Sequence, residues 1–326
     1  MRARRLGTSD LELTVIGLGT WAIGGGGWQF GWGPQDDRES VATIRRALDL
    51  GINWIDTAPA YGQGHSEEVV GQAIRGRRDE VVVATKCGLV WQEGSPAIEE
   101  RLKAWSVRKE IDDSLRRLGV ETIDLYQIHW PDPDEDIEEA WTVIAEAVRS
   151  GKIRYAGVSN FNEAQIRRAQ AIHPVTSLQP PYNMIDRGVE DGLLSFCAEQ
   201  RIGVIAYSPM VVGLLTGRIT REWADARPED DWRRRYSEFR DPKLSANLEL
   251  VDGLQAIAGR SGKTVAQLAV SWVLRRPEVT AAIVGARRPD QIEETAAAGD
   301  WELSAEAARE IEPLLETRRA RVSGTT

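Results

Sequence analysis

The stretch Asp124-Leu-Tyr-Gln-Ile-His129 is followed by an amphipathic pattern over Ile137–Arg149 and then by Arg154-Tyr-Ala-Gly-Val-Ser159. A short apolar run, a helical period and a second short run form one strand–helix–strand unit, and such units build parallel sheets. The same unit recurs outward in both directions. Apolar runs at 15–18, 53–56, 81–86, 124–129, 154–159, 177–179, 204–207 and 281–284 alternate with helical patterns at 39–50, 66–75, 106–118, 137–149, 163–172, 191–199, 264–275 and 289–297. Eight strands, each followed by a helix, is the count that closes a parallel barrel. An open doubly wound sheet is the alternative, and the regularity of the repeats disfavours it. The expectation is an α/β chain folded as a (β/α)8 barrel.

Some segments fall outside the repeat. Leu6-Gly-Thr-Ser-Asp-Leu-Glu-Leu13 reads as a hairpin that plugs the barrel floor. A long polar loop at 208–243 follows the seventh strand, an extra helix lies near 244–260, and a last helix spans 304–318. Loops of that length are usually functional or disordered. Thr264 is placed to cap a helix that ends before Pro277, and Ser66 marks a helix start ahead of Glu67 and Glu68. With no linker visible, residues 1–326 are expected to form a single domain, a size common for such barrels.

The chain has 326 residues, 42% hydrophobic, with a formal net charge of -9. That charge disfavours non-specific nucleic-acid binding, which depends on neutralising phosphates. No apolar run approaches the ~18 residues of a membrane span. Met1-Arg-Ala-Arg-Arg-Leu-Gly lacks the apolar segment of a secretory signal. Cys87 and Cys197 suggest neither a disulfide framework nor a zinc site. A cytoplasmic protein is expected. The clusters Arg233-Arg234-Arg235 and Arg318-Arg319 with Arg321 read as a solvated loop and a solvated helix end. Gly24-Gly-Gly-Gly27 lacks the strand–helix setting and acidic partner of a dinucleotide fingerprint and reads as a pocket rim carrying Trp28, Phe30 and Trp32.

The polar residues fall where chemistry is expected. Asp56 ends the second strand, Lys86 the third and His129 the fourth, and Tyr61 lies in the loop just after the second. In a parallel barrel these positions face one C-terminal mouth. Singly, each has an ordinary structural explanation. Their convergence, in a chain with 3 histidines and 6 tyrosines, is hard to dismiss.

Asp56-Thr-Ala-Pro-Ala-Tyr61-Gly, Ala84-Thr-Lys86, Ile128-His129-Trp130, Gly157-Val-Ser-Asn160-Phe, Leu178-Gln179-Pro-Pro-Tyr-Asn183 and Tyr207-Ser-Pro209 together resemble the aldo-keto reductase superfamily. The likeness runs from about Leu6 to the tail and looks closest to the bacterial branch with general stress reductases and inositol-dehydrogenase-like members. It implies reduction of aldehydes or ketones by hydride transfer from NADP(H). Tyr61 would be the general acid, since free tyrosine is protonated below about pH 10. Lys86 would stabilise the phenolate and lower its pKa, Asp56 would hold Lys86 charged, and a neutral His129 would orient the carbonyl.

The resemblance also assigns the cofactor half. Ser159, Asn160 and Gln179 would bind the nicotinamide carboxamide, Tyr207 would stack on the ring, and Thr20, Trp21 and Asp56 would sit at the nicotinamide end. Ser208, Pro209, Met210, Gly213 and Arg218 would wrap the pyrophosphate. Gly285 opens the adenosine segment, in which Arg287 would fork onto a 2′-phosphate and Gln291 and Glu294 would contact adenosine. Thr295 departs from the family pattern, which often has Asn there. Trp21, Trp28 and Trp130 are expected to line the pocket for a small carbonyl substrate. No metal, nucleic-acid or membrane partner is implied, and the oligomeric state is open. His65 and His173 lie outside the motifs. The same residues serve a sugar or polyol dehydrogenase equally; an intact tetrad counts against a slow-turnover cofactor-binding regulatory barrel, and a metal-dependent barrel hydrolase is a distant third.

Overall fold

A computed structural model describes residues 1–324 of the chain. The eight parallel strands are β1 Ile16–Gly19, β2 Trp54–Asp56, β3 Val82–Cys87, β4 Ile123–Ile128, β5 Ile153–Ser159, β6 Ser177–Gln179, β7 Gly203–Ala206 and β8 Val279–Gly285, and they form a closed barrel. Closure comes from β8 pairing with β1, with Ala282 opposite Ile16 and Gly285 opposite Gly19. Helices Asp37–Asp49, His65–Ala73, Ala104–Leu118, Ile137–Arg149, Glu163–Gln170, Leu193–Gln200, Val265–Leu274 and Pro289–Ala296 form the outer ring. The (β/α)8 expectation therefore holds, and helix ends move by only a few residues.

The barrel interior has an apolar floor beneath a polar mouth. Inward positions Trp54, Ala84, Leu125, Ile205, Ala281 and Ile283 cluster with Leu6, Leu11 and Leu13. Those leucines belong to the hairpin Ala3–Arg5 and Glu12–Thr14, which closes the floor as expected. Trp54 fits only because β1 offers glycine beside it, since a Cβ on Gly17 would lie 2.1 Å from Trp54 Cε2. The buried indole N–H is satisfied by Thr14 O at 2.8 Å. A second apolar layer, continuous around the barrel, lies between strands and helices.

Thr264 caps its helix through a reciprocal pair with Gln267, as its position suggested. Ser66 does not cap. Its helix begins at His65 behind Gly64, which has left-handed backbone, and Ser66 Oγ instead donates to Thr20 Oγ1 at 2.8 Å. The hydroxyl thus joins the β1 loop to the β2 loop, a long-range use that a capping pattern cannot reveal.

The 208–243 loop is ordered by short helical turns and by contacts with the 24–35 loop. Trp232 N donates to Gly31 O at 3.0 Å, Arg235 Nη2 donates to Gln29 O at 2.7 Å, and Trp32 bridges Asp231. The solvated reading of the basic clusters fails at two residues. Arg233 is buried, binds Asp231 with two nitrogens at 2.9 and 2.5 Å, and lies over the rings of Trp32 and Trp223. Arg318 is held by Glu238 and by Asn247 Oδ1, the latter at 2.8 Å. For Arg233 a near carboxylate and the distant ring of Trp32, and for Arg318 the distant Glu238, compensate the cost of desolvating the guanidinium. Among the described residues, no helix is long and apolar enough to cross a membrane.

Candidate active site

β2 and β3 run parallel and in register, which brings Asp56 and Lys86 together at the mouth. Lys86 is fully buried, and its Nζ donates to Asp56 Oδ1 at 2.7 Å, to Thr57 O at 2.9 Å and to Tyr61 Oη at 3.2 Å. An ammonium has three hydrogens, so its donors are matched one for one. Because the phenol oxygen accepts from Lys86, its own proton is free to point elsewhere. Tyr61 is set by a tight loop in which Gly62, with φ +64, lies so close to Gly24 that a Cβ would be 2.2 Å from its carbonyl oxygen. Trp21 and Trp28 flank the tyrosine ring, each at 6.4 Å between centroids.

His129 continues β4, with its N–H donating to Cys87 O at 2.9 Å. Its ring meets Tyr61 edge to face at 5.8 Å, and Nδ1 is buried without a protein partner. Burial, then the Lys86 charge, pushes His129 well below the usual histidine range, so the ring is neutral as expected. Burial, then the Asp56 charge, pushes Tyr61 well above 10. The expected net lowering by Lys86 is therefore corrected: desolvation in the closed barrel mouth outweighs the ammonium. Burial also lowers Lys86, against the opposing pull of Asp56.

The second carboxylate oxygen of Asp56 accepts from Gln179 Nε2 at 2.8 Å and from Gln127 Nε2 at 3.5 Å. Beside it, Ser159 Oγ donates to Gln179 O at 2.9 Å, and Asn160 Nδ2 donates to His129 O at 2.9 Å. Tyr207 Oη donates to Asn160 Oδ1 at 2.9 Å. One network therefore ties the ends of β2, β4, β5, β6 and β7 into one wall.

That wall borders a cavity of ≈ 790 Å³. One arm is lined by Thr20, Trp21, Trp28, Asp56, Tyr61, His129 and Trp130. The other passes Ser159, Asn160, Gln179 and Tyr207, then Ser208, Pro209, Met210, Gly213 and Arg218, and ends at Gly285, Arg287, Gln291, Glu294 and Thr295. Every residue assigned to the catalytic, cofactor or substrate site from the sequence meets this cavity except Lys86, which lies behind Asp56 and Tyr61. Trp28 both packs and lines: it is buried, and its Nε1 donates to Gly25 O at 3.2 Å. Trp130 is 42% exposed at the rim.

Several lining residues were not anticipated. Gln35, Trp223, Arg227 and Arg233 come from the two long mouth loops, where periodicity carries no information, and Glu39 from the first turn of helix Asp37–Asp49. Gln127 had a readable signal, a polar side chain at an inward position of β4 two residues before His129.

The far arm fits an elongated, anion-bearing ligand. It combines arginines with the N-terminus of helix Pro289–Ala296, where backbone N–H groups favour anions. Arg218 and Glu294 pair with each other across the cleft. Arg287 is already engaged: Nε donates to Gln35 Oε1 at 2.6 Å, Nη1 to Trp32 O at 3.2 Å, and Nη2 to Pro34 O. Thr295 Oγ1 is turned to Gln291 O within its own helix at 3.0 Å. An aromatic arm ending at a phenol and an imidazole, joined to a cationic arm, suits a small apolar substrate beside a dinucleotide.

The profile of the aldo/keto reductase family matches residues 15–316. The chain is 41% identical to aldo-keto reductase YhdN of Bacillus subtilis, over 97% of this chain and 94% of that one. It is 36% identical to the NADH-specific methylglyoxal reductase of Escherichia coli, over 97% of this chain and all of that one (100%). Among solved structures, the glycerol dehydrogenase AKR11B4 of Gluconobacter oxydans superimposes with a TM-score of 0.88 at 39% identity, covering 97% of this chain and 95% of that chain. Sequence and barrel agree over nearly the whole chain: the chain belongs to the aldo/keto reductase family and is an NAD(P)H-dependent oxidoreductase of carbonyls and alcohols.

Proposed function

We propose that this protein reduces aldehydes and ketones to alcohols with NADP(H), using Tyr61 as general acid. The observation that carries this reading is the contact of Lys86 Nζ with Asp56 Oδ1 at 2.7 Å and Tyr61 Oη at 3.2 Å. When bound, the nicotinamide supplies the hydride. Tyr61 delivers the proton to the developing alkoxide, and its raised pKa keeps it loaded at neutral pH. Lys86 meets the phenolate as it forms, and its charge is worth most in a dry mouth. Asp56 anchors Lys86 in place. Neutral His129 aims at the carbonyl oxygen and limits how the substrate can lie. Trp21, Trp28 and Trp130 favour an apolar or planar substrate.

For the cofactor, Ser159, Asn160 and Gln179 hold the carboxamide, Tyr207 stacks, 208–218 covers the pyrophosphate, and Gln291 with Glu294 meets adenosine. Arg287, with Arg288 beside it, selects the 2′-phosphate by exchanging its loop partners for the anion.

Replacing Tyr61 by Phe keeps the ring and removes the donated proton, so turnover should fall at least about 100-fold while cofactor affinity changes little. Near-normal reductase activity in that variant removes Tyr61 from the mechanism. Alcohol oxidation is the second reading, favoured by the likeness to a glycerol dehydrogenase. The same residues serve both directions, and steady-state rates with reduced and oxidised cofactor decide which dominates. NADH is the second cofactor reading, since one relative is named NADH-specific.

A further inference from the structure

Gln127 on β4 lies between Lys86 on β3 and Gly157 on β5 in the strand register. It is fully buried. A Cβ on Gly157 would lie 2.2 Å from Ser177 Oγ and 3.2 Å from Gln127 Cγ, so the glycine lets both side chains pack beside it. An amide inside a barrel costs free energy unless both of its ends are bonded. Here Nε2 lies 3.5 Å from Asp56 Oδ2, and Oε1 accepts from Gln179 Nε2 at 3.3 Å. Gln179 Nε2 also donates to Asp56 Oδ2 at 2.8 Å.

A carboxylate paired with an ammonium can only accept. Both amides must therefore turn their NH2 groups toward Asp56. Gln179 then has one N–H on Asp56 and the other on Gln127 Oε1, which leaves its carbonyl oxygen as the end able to meet a ligand.

We propose that Gln127 is a positioning residue that transmits the acceptor polarity of Asp56 to Gln179, so that Gln179 presents an acceptor oxygen to the NH2 of the nicotinamide carboxamide. The inference rests on the reading of Gln179 as a carboxamide contact. It makes the carboxylate that holds the ammonium also the group that, through the two glutamines, orients the hydride donor's ring.

The test is fluorescence titration of the oxidised cofactor and of its 3-acetylpyridine analogue, in which a methyl replaces the carboxamide NH2. Gln127→Leu should weaken the normal cofactor about 5- to 10-fold, the worth of one buried hydrogen bond, and leave the analogue's affinity unchanged. Gln127→Glu adds a pH readout. A carboxyl beside Asp56 resists ionisation, and when protonated it reproduces both bonds of the glutamine. That variant should bind the normal cofactor like the wild type at low pH and progressively more weakly as pH rises, while the wild type stays flat.

A purely structural role would cost both ligands alike at every pH, and that result overturns the proposal. Wild-type binding by both variants throughout overturns it too. Gln179→Leu separates the underlying reading: if it binds cofactor and analogue as the wild type does, the carboxamide assignment fails. If Gln179→Leu weakens the normal cofactor alone and Gln127→Leu does not, only the role of Gln127 fails.

Discussion

Lys86 donates to the phenol oxygen of Tyr61 across 3.2 Å, yet burial drives both groups toward their neutral forms. The contact therefore does not create a phenolate in the resting protein. It keeps a protonated acid beside a charge that becomes useful only as the proton leaves, which is differential stabilisation of the transition state.

The first prediction is the pH dependence. His129 titrates well below 6.5 and Tyr61 well above 10, so neither changes charge between them. Carbonyl reduction should be flat across neutral pH and fall only in alkali, as the acid is lost. Alcohol oxidation needs the deprotonated phenol and should rise with pH instead. A reduction profile with a midpoint near 6.5 would mean that His129 titrates and is the working acid.

Lys86→Met keeps most of the stem and deletes the charge. Turnover should drop at least about 100-fold, the low end for loss of acid–base function. Asp56, 2% exposed, is left without its cation, and breaking a buried pair costs about 3–5 kcal/mol. Adding Asp56→Asn to that variant should restore much of the stability but no activity, as read by thermal melts and initial rates. Wild-type turnover in Lys86→Met would end the assignment of Lys86 to Tyr61.

Arg287 lies between two duties, the 32–35 loop that now holds its nitrogens and the 2′-phosphate proposed for it. Arg287→Ala should weaken NADPH much more than NADH, with a gap that shrinks at high salt as the charge pair is screened. Gln35→Ala frees Arg287 Nε and should leave that preference intact or widen it. An equal loss of NADPH and NADH in Arg287→Ala assigns the arginine to the loop alone.

Glu110 is a buried carboxyl behind β3 that accepts from Gly88 N at 2.8 Å and Ser106 Oγ at 2.9 Å. Burial raises its pKa to about 7, against those bonds. Between the usual 4.5 and about 7 the folded state keeps a proton that the unfolded state has lost, so stability falls as pH rises through that window. The loss is about 3 kcal/mol for a shift of this size. Glu110→Gln should remove this part of the slope, measured as the difference in denaturant midpoints between the two ends of the window. Parallel slopes in variant and wild type would contradict it.

The barrel, its hairpin floor and the convergence of Asp56, Tyr61, Lys86 and His129 were legible because each depends on local signals. Strand and helix periods need only a few neighbouring residues, and in a parallel barrel the end of a strand already specifies which rim a side chain faces. Where a side chain finds its partner is a different question. Ser66 reads as a cap but bonds Thr20, Arg233 reads as solvated but is buried on Asp231, and Arg287 reads as a phosphate ligand but is engaged by the 32–35 loop. Tyr61 reads as lowered by Lys86 but is raised by burial. Local sequence determined which groups stand at the mouth. Only the tertiary structure decided their charges and partners, because desolvation and hydrogen bonding depend on residues far apart in the chain and on how tightly the loops close over them.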